Sequence, residues 1–177
     1  MVAAALWGFA EATLFFVVPD VFLTWIVIRR GVRRALMAAV LAALGAALGG
    51  AAMVLWGASD PHGSRAAVDL VPLVGPAMID EAATEMSQSW LLALLAGAFR
   101  GVPYKIFAQQ AGVQGIDPVL FILATVAARL ARFIVAVLLA AGLVKALGRI
   151  GHAGKAGWAW AGFWLAFYAG YWSVMPD

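Results

Sequence analysis

The chain has 177 residues, of which 65% are apolar and 12% are charged, and its mean hydropathy is +0.95. Soluble domains are about 45–50% apolar and about 25% charged, so a soluble fold of this length could not bury so much apolar surface. The absence of cysteine excludes disulfides, thiolate metal sites and thiol nucleophiles. The net charge of +3 comes from two short basic stretches, and no basic polar face suits nucleic acid. Composition therefore predicts an integral membrane protein of the inner-membrane type.

The first apolar block, residues 2–28, is long enough to span a bilayer but carries Glu11 and is broken at Pro19-Asp20. It is not a signal peptide, because its basic cluster at 29–34 follows the apolar run instead of preceding it. Two alternatives stay open: one crossing, or a re-entrant hairpin over 1–28 that turns near Pro19. The break and the buried acid favour the hairpin, since non-helical backbone survives at membrane depth only inside protein or beside water.

The second block, residues 35–57, has 23 residues without a charge and is the clearest transmembrane helix. Gly45 with Gly49, and Ala46 with Gly50, put small residues four apart on one face. Such a face lets another helix approach closely. We expect it to pack within the monomer, although it also admits a homodimer.

Residues 60–89 form the one long polar stretch, which is strongly acidic. Pro76 begins a pattern typical of a short amphipathic helix on the membrane surface. We interpret its carboxylates as a solvated face and assign them no chemistry. The charged residues of this extracytoplasmic connection are Asp60, Arg65, Asp69, Asp80, Glu81 and Glu85.

Three further apolar blocks follow. Residues 90–112 are interrupted by a polar turn, residues 118–144 carry Arg129 and Arg132 near their midpoint, and residues 157–175 have aromatic side chains toward both ends. Aromatic residues at both ends are typical of a single span whose rings lie at the two interfaces. The second and third of these blocks are therefore predicted to be transmembrane helices.

Lysine and arginine bias sets the orientation. The basic loops at 29–34 and 145–155 are placed in the cytoplasm, and the acidic stretch outside. Residues 90–112 must then begin and end outside, which predicts a second re-entrant hairpin turning near Gly101 and Pro103. The predicted fold is all-α, one membrane domain over 1–177, with three transmembrane helices and two opposed hairpins that form an inverted repeat around a midplane site.

Six ionisable residues fall within the apolar segments, where each charge costs on the order of 2.5–3.5 kcal/mol. Arg129 and Arg132 are three apart and share a helix face, so that face should meet carboxylates or a bound anion. Four cations against two carboxylates leave a surplus that suits a phosphate, which arginine grips in bidentate fashion. The six are Glu11, Asp20, Arg100, Lys105, Arg129 and Arg132.

Simpler interpretations of these charges stay open. The six residues could neutralise one another as buried ion pairs that fix the fold, Asp20 could cap a helix after Pro19, and Lys105 could extend its ammonium to the outer interface. No hydrolase or transferase constellation, glycine-rich phosphate loop or metal-binding motif is visible in the sequence. We therefore expect neither an enzyme nor a cofactor or metal.

Three motifs carry a family resemblance. In chain order they are Phe9-Ala10-Glu11 with Phe15-Phe16 and Pro19-Asp20; Phe99-Arg100-Gly101-Val102-Pro103-Tyr104-Lys105 leading into Ala111-Gly112; and Phe121 with Ala128-Arg129-Leu130-Ala131-Arg132-Phe133. Together they resemble the conserved blocks of the DedA family (the VTT or SNARE-associated-Golgi-like domain), closest to its YqaA-like branch. The resemblance covers roughly residues 5 to 150.

The resemblance implies a multi-pass protein of the bacterial inner membrane that moves lipid between leaflets. Family members are implicated in recycling undecaprenyl phosphate or in scrambling phospholipids, in some cases driven by protons. The family's functional acids map onto Glu11 and Asp20, and its basic residues onto Arg100 and Lys105. We expect Arg129 and Arg132 to join the basic residues in binding an anionic headgroup. The alternatives are a proton- or cation-coupled transporter of a small solute and a membrane scaffold that transports nothing.

Overall fold

The computed structural model describes residues 1–149, 151 and 153–174, and every regular element in these ranges is helical. A single 3₁₀ turn, Ala153–Lys155, precedes the last helix. In chain order the α-helices are α1 Val2–Thr13, α2 Asp20–Arg30, α3 Val32–Ser59, α4 Pro61–Asp69, α5 Pro76–Arg100, α6 Tyr104–Val113, α7 Pro118–Arg149 and α8 Ala156–Val174.

Helix α3 is the centre of the fold, and α1 lies against it in backbone contact. A Cβ atom added to Gly8 of α1 would collide with the carbonyl of Ala42, and one added to Gly45 of α3 would collide with the carbonyl of Ala5. Only glycine allows so close an approach of two helices. The small-residue face of α3 is therefore used within the chain, as the sequence predicts.

Helix α6 packs on α3 in the same manner. A Cβ at Gly57 would meet the carbonyl of Gln109, and a Cβ at Gly112 would meet the carbonyl of Val54. At the other end of the contact, Gly50 makes room for the ring of Tyr104. Two short helices therefore pack closely on α3. Helix α1 precedes the non-helical segment 14–19, and α6 follows the non-helical segment 101–103.

The two breaks lie where the sequence predicts turns. Residues 14–19 separate α1 from α2, with Pro19 at the N-cap of α2. Residues 101–103 separate α5 from α6, and Gly101 has φ 86° and ψ 7°, a left-handed conformation that favours glycine. Pro103 then enters α6 from extended backbone. Both predicted hairpin regions are helix–break–helix units.

Within the described ranges two helices, α3 and α7, are long and apolar enough to span a membrane. Helix α3 contains the predicted span 35–57 and extends beyond it at both ends, and α7 contains the predicted span 118–144 and extends beyond its C-terminal end. Helix α8 covers the third predicted span up to residue 174. Residue 175 of that span, and residues 150, 152, 176 and 177 of the predicted single domain, lie outside the described ranges.

The polar connection at 60–89 is more ordered than the sequence suggests. It contains a separate helix, α4, whose N-terminus is capped by Asp60 accepting a hydrogen bond from the amide of Gly63 at 2.9 Å. The helix predicted at Pro76 exists, but it is not short. It continues as α5 through a kink at Ser89 (φ −161°, ψ 91°) to Arg100, so the predicted boundary at 89 is a kink within one element.

Candidate functional site

Glu11 and Arg129 form a buried ion pair. Glu11 lies in the last turn of α1 and Arg129 near the middle of α7, and Glu11 Oε2 is 2.8 Å from Arg129 Nη2. The two side chains are only 4% and 3% exposed. The guanidinium also lies over the ring of Tyr104, 4.5 Å from its centroid, where the π-face attracts a cation. The ring of Phe133 lies 5.8 Å from the same guanidinium, so Arg129 is held by one carboxylate and two aromatic rings.

This pair leaves hydrogen-bonding capacity unused. Both Nη atoms of Arg129 and Oε2 of Glu11 are buried without a hydrogen-bond partner among the described residues, although Nη2 and Oε2 lie 2.8 Å apart as an ion pair. A guanidinium carries five N–H donors, and leaving buried donors unpaired is costly. Arg129 therefore retains N–H groups that could donate hydrogen bonds to an anion.

Asp20 and Arg132 form the second ion pair. Arg132 Nη2 donates to Asp20 Oδ2 at 2.9 Å, across 112 residues of sequence. Asp20 is buried at the start of α2, whereas the Arg132 side chain is 21% exposed. Arg129 and Arg132 project from one face of α7, and that face meets two carboxylates, as the three-residue spacing predicts.

Lys105 connects the two non-helical segments, 14–19 and 101–103, by a hydrogen bond. It lies in the first turn of α6, is 1% exposed, and donates from Nζ to the carbonyl of Phe15 at 3.1 Å. Phe15 belongs to the break between α1 and α2, so a side chain that follows the second break satisfies backbone in the first. Its ammonium does not reach an outer interface, which was one simpler interpretation of this residue.

A cavity of about 60 Å³ lies between the breaks, large enough for a few water molecules. Its charged lining residues are Glu11, Lys105 and Arg132. The cluster of Glu11, Asp20, Lys105, Arg129 and Arg132, called the charge cluster below, holds three cations and two carboxylates. The surplus is one positive charge. The remaining lining residues are Phe16, Val18, Val71, Pro72, Leu73, Gly101, Val102, Pro103, Phe167, Tyr168 and Tyr171.

Arg100 lies outside the charge cluster, contrary to the predicted grouping. Its guanidinium binds the carboxylate of Glu85 with both Nη atoms, Nη1 to Oε1 at 2.8 Å, and the two side chains are 47% and 29% exposed. The hydrogen bond from Arg100 lowers the pKa of Glu85 below its ordinary value. Glu85, interpreted from sequence as part of a solvated face, is therefore the partner of Arg100.

The kink at Ser89 explains this pairing. Glu85 and Arg100 are 15 residues apart, which corresponds to about 22 Å along a straight helix and exceeds the reach of the two side chains. The non-helical backbone at Ser89 turns the chain so that Glu85, before the kink, and Arg100, after it, come into contact. Ser89 has no proline or glycine beside it to signal such a turn in the sequence.

Two tyrosines of α8 complete the site, and sequence reasoning missed their role. The backbone N–H of Val18 donates to the Tyr168 hydroxyl at 3.1 Å, and the Tyr171 hydroxyl donates to the carbonyl of Gly101 at 3.2 Å. One helix therefore bonds both breaks. The sequence indicates these rings as an interfacial belt, whereas their hydroxyls point inward to backbone. Both tyrosines are partly buried, and a tyrosine hydroxyl that is shielded from water needs a hydrogen-bond partner, which was the available signal.

The structure thus brings together five of the six charged residues predicted from sequence, with Pro19, Gly101 and Pro103 at the adjoining turns. Within the described ranges no group of three or more histidine, aspartate or glutamate side chains could hold a metal ion. The arrangement can bind an anion through arginine and lysine, with two carboxylates as exchangeable partners. Comparison of the chain with family models, curated proteins and solved structures found no match.

Proposed function

We propose that this chain is a multi-pass membrane protein that moves an anionic lipid between leaflets by holding its headgroup at Lys105, Arg129 and Arg132. The observation that carries this proposal is the buried charge cluster. It has a surplus cation and unpaired N–H donors on Arg129, and a cavity adjoins it. Polyprenyl phosphates and anionic phospholipids both carry the phosphate that such a site would bind.

The proposed topology has α3, α7 and α8 as full spans, with α1–α2 and the end of α5 with α6 as hairpins entering from opposite faces. The backbone of the first break supports membrane depth, because protein side chains cover its polar groups. Trp7 donates to the Val17 carbonyl at 2.9 Å, Lys105 donates to the Phe15 carbonyl, and the Val18 N–H donates to the Tyr168 hydroxyl. Lipid cannot hydrogen-bond exposed backbone, so such a break must be covered in this way.

The two ion pairs supply a route for coupling to protons. A phosphate that binds the Arg129 guanidinium competes with Glu11 for its positive charge, and an unpaired buried carboxylate is strongly unfavourable. Arginine does not release its proton, so Glu11 regains neutrality by binding one. Asp20 follows the same logic beside Arg132. Headgroup entry would then draw protons into the site, and headgroup release would return them.

A leaflet-exchange assay tests the proposal. Purified protein is reconstituted into liposomes with a fluorescent anionic phospholipid or polyprenyl phosphate, and an impermeant quencher reports the fraction reaching the outer leaflet. We expect Arg129→Gln and Lys105→Gln to reduce the exchange rate at least tenfold. Arg65→Gln is the matched control, because Arg65 pairs with Asp80 at 2.8 Å on the exposed surface.

Wild-type exchange in Arg129→Gln and Lys105→Gln would refute the headgroup site, provided that all variants stay monodisperse. Solute-dependent current in liposomes without anionic lipid would instead favour a cation-coupled solute transporter. The neat pairing of each cluster carboxylate with an arginine also supports a scaffold role. A scaffold would keep its cellular function when Glu11 and Arg129 are replaced together by apolar residues.

A further inference from the structure

An apolar groove of about 330 Å³ runs between α2, α7 and α8. It shares Val18, Arg132 and Phe167 with the cavity of the charge cluster, so the two spaces adjoin each other. Its polar lining residues, Asp20, Thr24 and Arg132, lie at the end nearest the cluster. The rest of its lining is apolar: Val18, Ile28, Ala136, Leu139, Ala140, Leu143, Val144, Ala156, Trp160, Phe163, Trp164 and Phe167.

Small side chains on α7 and hydrogen bonds between α8 and α2 keep the groove open. Ala136 and Ala140 of α7 leave room on one wall. On the other wall, Trp160 and Trp164 donate their indole N–H groups to the hydroxyl of Thr24 at 3.0 and 3.2 Å. These two bonds fix bulky rings of α8 beside α2. Hydrogen bonds therefore fix one wall of the groove, and its apolar part offers no hydrogen-bond partners for water.

The length of the groove matches one leaflet. From Arg132 to Val144 helix α7 rises about 18 Å, at 1.5 Å per residue. Half of a bilayer's hydrocarbon core is about 15 Å thick. A hydrocarbon chain that spans one leaflet from a headgroup at Arg132 would therefore lie within the groove and end before Val144.

We propose that this groove holds the hydrocarbon tail of an anionic lipid whose headgroup is bound at Arg132, an assignment that rests on the proposed function. Charge complementarity selects this occupant: the open end meets the surplus cation of the charge cluster, and the remainder is apolar. The tail runs toward Ile28 and Val144, beside the basic loop that follows α2. The lipid is accordingly captured with its headgroup toward the outer side and its tail toward the cytoplasmic side.

Binding of hexadecyl phosphate to the detergent-solubilised protein, followed by native mass spectrometry, tests this assignment apart from transport. Ala136→Phe fills the groove one turn below Arg132, and Ala140→Phe does so further along. Ala131→Phe is the matched control, because Ala131 is exposed on the same helix and does not line the groove. Inorganic phosphate serves as the headgroup without a tail.

We expect Ala136→Phe and Ala140→Phe to weaken hexadecyl phosphate binding at least tenfold, and Ala131→Phe to change it less than twofold. Wild-type protein should bind inorganic phosphate at least tenfold more weakly than hexadecyl phosphate. Equal binding of hexadecyl phosphate to all three variants would overturn the assignment. So would a wild-type dimer that Ala136→Phe converts to monomer, because a second copy would then occupy the groove.

The binding result is independent of the transport result. If the wild type binds hexadecyl phosphate in the groove but exchanges no lipid, the tail site stands and the proposed function fails. If Ala136→Phe loses exchange but binds hexadecyl phosphate normally, the tail site fails and the proposed function stands. Thermal unfolding of each variant in detergent confirms that a loss of binding does not reflect a loss of fold.

Discussion

Two ion pairs of this molecule each join a glutamate to an arginine, and they differ in burial and in hydrogen bonding. Glu11 Oε2 lies 2.8 Å from Arg129 Nη2, whereas both carboxylate oxygens of Glu85 accept hydrogen bonds from Arg100. The first pair is buried to within a few per cent, whereas the second is one-third to one-half exposed. A buried pair is costly to form and more costly to break, while an exposed pair contributes about 0–1 kcal/mol. Burial therefore determines how much an ion pair contributes to stability more than its position in an apolar segment does.

The pair of Asp20 and Arg132 lies between these extremes. Asp20 is buried, but Arg132 is partly exposed and lines both the cavity and the apolar groove. A cation with one side open can exchange partners at lower cost than one that is enclosed. The exposed fraction of the side chain rises from Arg129 through Arg132 to Arg100, and the fold holds the three arginines less strongly in the same order.

The largest expected effect is on the buried pair. Glu11→Gln should lower the free energy of unfolding by about 3–5 kcal/mol, because it leaves the Arg129 charge buried and unpaired. Chemical unfolding in mild detergent, followed by circular dichroism, measures this change. Glu85→Gln is the control on the exposed pair. A loss below about 1 kcal/mol in Glu11→Gln would show that water reaches Arg129.

A double replacement separates stability from function. Glu11→Leu with Arg129→Met removes both charges, and such exchanges of buried ion pairs for apolar residues are often neutral or stabilising by about 1–4 kcal/mol. We expect the double variant to unfold near the wild type, recovering the loss of Glu11→Gln. Its lipid exchange rate should nevertheless fall at least tenfold. Full exchange activity in this variant would assign the pair to the fold alone.

The smallest effect concerns the pH dependence of the exposed pair. The pKa of Glu85 is lowered in the folded state, so its contribution is complete at neutral pH and is lost as the pH falls below about 4. The difference in stability between wild type and Glu85→Gln should be at most about 1 kcal/mol at pH 7 and smaller at pH 3. Parallel unfolding curves at the two pH values measure it. A difference that grew on acidification would contradict the assignment.

The helices and breaks were largely predictable from sequence because hydropathy, proline and glycine act locally. The uncharged run at 35–57 lies within α3, and the breaks fall at Pro19 and at Gly101 with Pro103. What sequence could not supply were partners set by tertiary packing. The meeting of Glu11 with Arg129 requires α1 and α7 to flank α3, and no local pattern encodes that arrangement.

The misassignment of Arg100 has a particular physical cause. Its pairing depends on the kink at Ser89, where extended backbone interrupts α5 without a proline or glycine nearby. Read as a straight hairpin arm, the segment would carry Arg100 toward the membrane midplane with the other charges. The tyrosines of α8 escaped notice for a related reason: an aromatic ring at an apolar end suits a lipid interface and a buried hydrogen bond equally well. Membership of the DedA family stays a prediction from the three motifs.

The alanine and glycine face of α3 has a consequence for how this sequence can vary. Burying these side chains costs no rotamer entropy, so α1 and α6 can associate with α3 through close backbone approach alone. The same closeness leaves no volume for a larger residue at Gly8 or Gly45, while the exposed Leu48 on the opposite face accepts any apolar side chain. A saturation library would therefore show a size threshold along one stripe of α3 and near-free exchange along the other. The variants that are tolerated would then show which face of α3 packs against α1 and α6.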